Sequence, residues 1–314
     1  MYWDTNPDVR NEAVSNAMSR NRFDEILHFF HVADNNNLPQ NDKFGKIRIF
    51  CSMLNNKWLE HFPGDIDLCI DESMVPYFGR HGAKQHIHGK PIRFGYKVWC
   101  LCNKLGYLIQ CEPYQGACTG NTIPHLGVGG SVVCDLISEL NPNIKHNLYM
   151  DNFFTSLKLL DHLSSLGYGA TGTIRSNRIE KAPIEDPKLI KKHERGYSCS
   201  LVDTTSNILL CSWNDNNVVT MASNCHTVEP MKKVKRWSAK HKQSIDVPQP
   251  HLISQYNAFM GGVDQMDQNI STYRISIRKR RWWWPMFAWL VKVSVNNSWQ
   301  LSRLHNGSDS QDLL

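Results

Sequence analysis

No apolar run in this sequence approaches the roughly 20 residues needed to cross a bilayer. The best candidate, PMFAWLVKVSV, is short and broken by Lys292, so no membrane partner is expected. The opening MYWDTNPDVR has no basic segment followed by an apolar core, which excludes a secretory signal at this position. The ten cysteines include no Cys-X-X-Cys pair and no histidine partner at zinc-finger spacing, so no zinc is expected. Scattered thiols without a signal point to a reduced, intracellular protein. The glycine-rich HLGVGGSVVCDLISEL is not followed by Gly-Lys-Ser/Thr, which argues against a phosphate loop. Its glycines instead fit close packing of a helix on a sheet. Internal repeats are also lacking. A net charge of +6 is too small to argue for nucleic acid by itself, so the placement of charge has to carry that question.

What is present reads as a layered α/β chain. Residues 11–60 have helical periodicity, with Phe23, Ile26, Leu27 and Phe30 on one face and Ile47, Phe50, Leu54 and Trp58 repeating the pattern. After Pro63-Gly64 the period changes. DIDLCIDESMV alternates, with Ile66, Leu68 and Ile70 on one side and Asp67, Cys69 and Asp71 on the other. RFGYKVWCLCN and YLIQCEPYQG read as two further strands joined at Lys104-Leu105-Gly106, with Cys100 and Cys102 on one side of the first. HNLYMDNFFTS is a short strand ending at Asp151, SLKLLDHLSSLG a helix closed by Gly167, and YGATGTIR a fifth strand. This order predicts an α/β domain with a mixed sheet. Between Asn177 and Pro250 short alternating segments suggest a small β-rich insertion flanked by the basic stretches PKLIKKHER and MKKVKRWSAKHK. Helical spacing returns at His251 and runs to about Trp299, with Pro285 as its main interruption. The end, LHNGSDSQDLL, reads as disordered.

Acidic residues stand at three separated places. Asp71 lies on the first strand, Asp151 at the C-terminal end of a later one, where α/β sheets build sites. Asp264 and Asp267 share a helix face just after Gly261-Gly262. Brought together, such carboxylates would repel and raise one another's pKa unless cations neutralised them. An oxygen-rich site of this kind suits Mg²⁺ or Mn²⁺, and two such ions support phosphodiester cleavage. Each aspartate also has a plainer reading: Asp71 as a solvent-facing strand residue, Asp151 as a turn former before Asn152, Asp264 as an acid favoured by a helix N-terminus.

IDESMVPYFGR, YMDNFFTS, YNAFMGGVDQMDQ and RRWWWPMFAWL, in that order, closely resemble the piggyBac transposases and piggyBac transposable element-derived proteins, over nearly the whole chain from YWDTNPDVRNEAVS to about Leu301. The resemblance implies an RNase H-like catalytic core with a triad of Asp71, Asp151 and Asp264, supported by Asp267 and holding two Mg²⁺ or Mn²⁺ ions. It implies a division into a helical dimerisation and DNA-binding part (1–65), the core (66–176), a β-rich insertion (177–250), a core helix bearing the third aspartate (251–272), a second helical DNA-binding part (273–302) and a disordered tail (303–314). Arg274, Arg278, Lys279, Arg280 and Arg281, with Lys232, Lys233, Lys235 and Arg236, would hold DNA phosphates. For Trp284 two readings stand side by side, stacking on an unpaired base and core packing of an amphipathic helix, while Trp283 and Trp289 read as core.

The implied reaction nicks double-stranded DNA at an element end, forms a hairpin through the freed 3′-hydroxyl and joins a TTAA target. The implied setting is the nucleus, as a homodimer or a heterodimer with a related chain. Two departures from the family pattern stand out: the acidic N-terminal region is not seen, and no cysteine follows Cys225, so the C-terminal Cys/His-rich zinc domain is expected to be absent. The functional expectation is a transposase-derived DNA-binding protein capable of metal-dependent cleavage and strand transfer. The alternatives are a DNA-binding protein without catalysis and a dimerising interaction protein.

Overall fold

A computed structural model describes residues 2–116, 120–239, 241–272 and 281–306. Two compact units divide between Phe50 and Cys51. The first contains α1 (Glu12–Ala17), α2 (Arg20–Phe29) and the start of α3 (Gly45–Glu60). Asn11 and Ser19 cap α1 and α2, their side chains accepting from the amides of Val14 and Arg22. Trp3 donates to the Met18 carbonyl at 2.7 Å and packs on Phe23, tying the N-terminal segment to the α1–α2 junction and α2.

In the second unit the strands and helices follow in the order β1 (Asp67–Pro76), β2 (Gln85–His86), β3 (Phe94–Asn103), β4 (Leu108–Pro113), α4 (Gly127–Ile137), β5 (Asn147–Met150), α5 (Leu157–Ser165) and β6 (Gly169–Thr173). Next come α6 (Pro187–Ile190), β7 (Ser198–Asp203), β8 (Ile208–Asn214), β9 (Val218–Ser223), β10 (Lys232–Ser238) and β11 (Gln243–Gln249). The last helices are α7 (His251–Phe259), α8 (Gly262–Thr272) and α9 (Trp284–Asn306). Among the described residues the main sheet runs β2-β3-β1-β5-β6-β9-β8-β7, with β4 on β3. The pairs β1–β5 and β5–β6 are parallel and the others antiparallel, giving the mixed α/β sheet the sequence predicts.

Three features depart from the sequence reading. The alternation at 66–71 implies a strand wet on one side, yet Leu68, Cys69 and Ile70 are all fully buried. The reason is non-local: α8 packs on β1 and β3 and covers the Cys69 side. Secondly, the segment 177–250 is not all a separate module. Its strands β7–β9 extend the core sheet through β6–β9 pairing, and only β10 and β11 form a ribbon of their own. Thirdly, Pro285 does not interrupt a helix but sits in the first turn of α9, where a missing amide hydrogen costs nothing. That helix continues to Asn306, into the stretch expected to be disordered; residues 307–314 lie outside the described residues.

Buried amides lock α9 to the β3–β4 turn. Asn297 donates to the Leu108 carbonyl at 2.8 Å and accepts from its amide at 3.0 Å, Asn296 donates to the Gly106 carbonyl at 2.7 Å, and Gln300 to that of Leu105 at 2.7 Å. The glycines of α4 serve close approach, as expected, although the partner is a loop: a Cβ on Gly129 would lie 2.7 Å from the Phe153 carbonyl oxygen. That contact seats the turn following Asp151. Among the described residues, no helix is long and apolar enough to cross a membrane.

Candidate active site

The parallel register of β1 and β5 runs from Asp67 opposite Asn147 to Ile70 opposite Met150. Next in sequence come Asp71, still on β1, and Asp151, just past the end of β5. Adjacent strands lie about 4.8 Å apart, so the register alone makes these two carboxylates neighbours. Here β5 stops while β1 continues to Pro76, leaving a notch at the strand end. Asp151 is held in the turn by accepting the Phe153 amide at 2.8 Å. Arg178 fixes the same turn from outside, donating to the carbonyls of Asn152, Phe153 and Thr155, and Arg175 donates to the Asn152 side chain at 2.8 Å.

Alternation places Cys69, Asp71 and Ser73 on one face of β1, and α8 lies across that face. Its first residue, Gly262, fits because it has no side chain: a Cβ there would overlap the Asn103 carbonyl and stand 2.6 Å from the Cys69 sulfur. One turn further on, Asp267 accepts a 2.6 Å hydrogen bond from the Ser73 hydroxyl. Asp264 lies between these two anchors, in the first turn of α8 and exposed.

The notch is acidic and only partly compensated by Lys90 and Lys97. Burial, then the neighbouring Glu72, pushes the Asp71 carboxyl up to about 7, with Asp151 adding to the rise and the Glu72 amide opposing it. Burial also raises Asp151, against the Phe153 amide. Asp267 is pushed up to about 6, chiefly by burial, with the Ser73 hydrogen bond opposing. Among the described acids of this notch, Glu72 has close cationic partners. Lys90 Nζ lies 3.3 Å from one of its oxygens and Lys97 Nζ 3.7 Å from the other. Burial pulls the Lys90 ammonium down, but Glu72, Asp71 and Asp264 together hold it above its ordinary value. Burial dominates at Lys97 and lowers it, its ammonium lying 3.8 Å from the Trp99 ring centroid.

Asp71, Asp151 and Asp267 thus gather on one side of the sheet, and Asp264 acts on the same Lys90. Among the described residues, however, no three His, Cys, Asp or Glu side chains converge closely enough to hold a metal ion. The donors are hard carboxylate oxygens, two of them adjacent and raised by burial, which fits a divalent cation in chemistry.

The expected DNA contacts divide. Arg274, Arg278, Lys279 and Arg280 lie outside the described residues. The Arg281 guanidinium stands 5.7 Å from the Trp283 ring centroid. The Trp284 side chain takes the core-packing alternative: it is only 8% exposed and packs on Phe287, joining the buried Trp283 and Trp289. Lys232, Lys233 and Lys235 are exposed on β10, whereas Arg236 turns inward to Asp215 at 3.0 Å. Sequence reasoning missed Glu72, Lys90, Lys97, Arg175 and Arg178. Glu72 could have been found from the paired acids in IDES; the lysines and arginines carry no local signal.

Residues 1–299 match the family model described as Transposase IS4. Human PiggyBac transposable element-derived protein 3 is 45% identical over 309 residues, 98% of this chain and 52% of that protein. The chain belongs to the piggyBac transposase family. Another human member, PiggyBac transposable element-derived protein 2, is 38% identical over the whole chain and 53% of its own length. The chain therefore spans about half the length of these piggyBac relatives. The piggyBac transposase solved as a synaptic complex with hairpin DNA superposes with a TM-score of 0.78 at 24% identity, covering 98% of this chain and 62% of that one, a likeness of fold.

Proposed function

We propose that this chain is a piggyBac transposase-derived protein that binds DNA and, with a divalent cation, cleaves and transfers DNA strands at Asp71, Asp151 and Asp264. The observation that supports this most is the side-by-side placement of Asp71 and Asp151 where β5 ends. A carboxyl raised to about 7 is poised to exchange its proton for a cation. Asp71, Asp151 and Asp264 would hold Mg²⁺ or Mn²⁺, with Asp267 anchoring the helix that carries Asp264. When bound, the ions supply activation of water and stabilisation of the leaving oxygen. The chain's own groups do the rest. The Ser73–Asp267 bond fixes α8 over β1, Arg178 shapes the turn that presents Asp151, and Lys90 and Lys97 keep Glu72 neutralised beside the reacting phosphate.

The related transposase was captured with hairpin DNA, which supports DNA as the substrate; a double-stranded end, a hairpin formed through the freed 3′-hydroxyl and a TTAA target are what the family resemblance implies. The setting would be the nucleus, with a second copy or a related chain as dimer partner. The test is nicking of hairpin or pre-nicked DNA ends in Mn²⁺. Cleavage by the native chain and its loss in Asp151→Ala is expected; cleavage that persists unchanged in that variant refutes the assignment. A second reading, DNA binding with idle catalysis, is favoured by the exposed position of Asp264 and by the lack, among the described residues, of a closed cluster of three acids.

A further inference from the structure

The β10–β11 ribbon has two unlike faces. Val234 and Ile245 pack inward on a core that includes Val247, Trp213 and Leu252. Arg236 also points inward, to Asp215, which Arg195 shares. Arg195 donates in addition to the Trp237 carbonyl at 2.9 Å, and the Trp213 indole to the Pro248 carbonyl at 2.8 Å. The ribbon is therefore firmly seated. Its outer face, by alternation, carries Lys233, Lys235 and Trp237 at successive positions roughly 7 Å apart, opposite Pro248, Asp246 and Ser244. Trp237 is 64% exposed and, among the described residues, its ring meets no other ring or cation. Neither lysine pairs with an acid among the described residues, even though Asp246 faces Lys235 across the ribbon. Lys232 adds a further exposed cation.

An indole costs free energy when left in water, and this one stands on a flat ribbon, in line with two cations, rather than in a cleft. Nucleobases offer a π-face at every position while phosphates repeat alongside, a pattern that an aromatic residue in a row of lysines matches. We infer that the outer face of the β10–β11 ribbon binds an unpaired DNA strand, with Lys233 and Lys235 on phosphates and Trp237 stacked on a base. The inference rests on DNA as the substrate class and places a single-strand contact outside the acidic notch.

The test is fluorescence anisotropy of a labelled oligothymidylate and of a labelled duplex of equal length, with the whole chain, in EDTA. Because cation-dependent cleavage is silent in EDTA, failure of the catalytic reading and failure of this one are separable. Trp237→Ala should weaken single-strand binding about tenfold, change duplex binding less than twofold, and be rescued by Trp237→Phe. Lys233→Ala with Lys235→Ala should flatten the slope of log affinity against log salt by about 1.4. Single-strand affinity unchanged in Trp237→Ala overturns the inference. So do equal losses on both DNAs, or Trp237-dependent binding of poly-glutamate that matches the oligonucleotide, which would mark an acidic protein as the partner. An unaltered thermal midpoint in Trp237→Ala confirms that the loss is one of contact.

Discussion

The acidic notch and the basic ribbon handle charge in opposite ways. In the notch, carboxylates are half-buried and set beside one another, which suppresses their acidity, as the proposed cation site requires. On the ribbon, lysines stay in water on an outer face while the one arginine of β10 is pulled inward to a carboxylate. The half-buried acids are thus energetically costly and specific, and the exposed lysines cost nearly nothing and are general. A local cost tolerated at the notch is what a site for a tightly held ion requires, whereas a surface reading phosphates needs only reach and salt-sensitive attraction.

The sharpest way to break this contrast is at Gly262. Gly262→Leu places a side chain against the Asn103 carbonyl and the Cys69 sulfur, and should cost about 3 kcal/mol in urea unfolding. Gly261→Leu, whose Cβ would meet nothing within 4 Å, should cost less than about 0.5 kcal/mol. Equal effects at the two positions would mean that α8 does not dock on β1 as described.

A second effect follows from protons. Asp71 and Asp267 bind protons more tightly folded, at about 7 and about 6, than at the ordinary 3.8. Between pH 4 and 7 the native chain therefore holds more protons than the unfolded one, so stability in EDTA should fall as pH rises through that window. Asp71→Asn should flatten the decline, most clearly between pH 5 and 7. A stability that rises across this range would contradict the buried-acid picture. Smallest of all is the difference within β10. Arg236→Ala, which leaves Asp215 paired with Arg195 alone, should cost about 1 kcal/mol. Lys235→Ala should change stability by less than about 0.5 kcal/mol. Chemical denaturation of both variants measures the difference.

Much of this was legible in the sequence, in proportion to how local the determinants are. The strands bearing Asp71 and Asp151, the helix closed by Gly167 and the acidic spacing of α8 rest on periodicity and punctuation, and they appear in the structure. Burial of Cys69 was not legible, because the helix that covers it begins at Gly262, far along the chain. The same distance hides Lys90 and Lys97, whose role exists only once β1 and β3 are paired. The inward turn of Arg236 is different. Period-two alternation in KKVKRWS puts Val234 and Arg236 on one side and Lys233, Lys235 and Trp237 on the other, a division that charge alone does not reveal. Trp284 shows the converse: a tryptophan beside arginines is buried by helix packing that composition cannot reveal.

The central claim is that Asp71 and Asp151 share one cation-binding notch, and the most direct measurement is Mn²⁺ binding by electron paramagnetic resonance on the native chain and on Asp71→Asn and Asp151→Asn. The account predicts that either substitution alone removes the tight Mn²⁺ signal while the fold, followed by circular dichroism, stays intact. Native Mn²⁺ affinity in Asp71→Asn would contradict it.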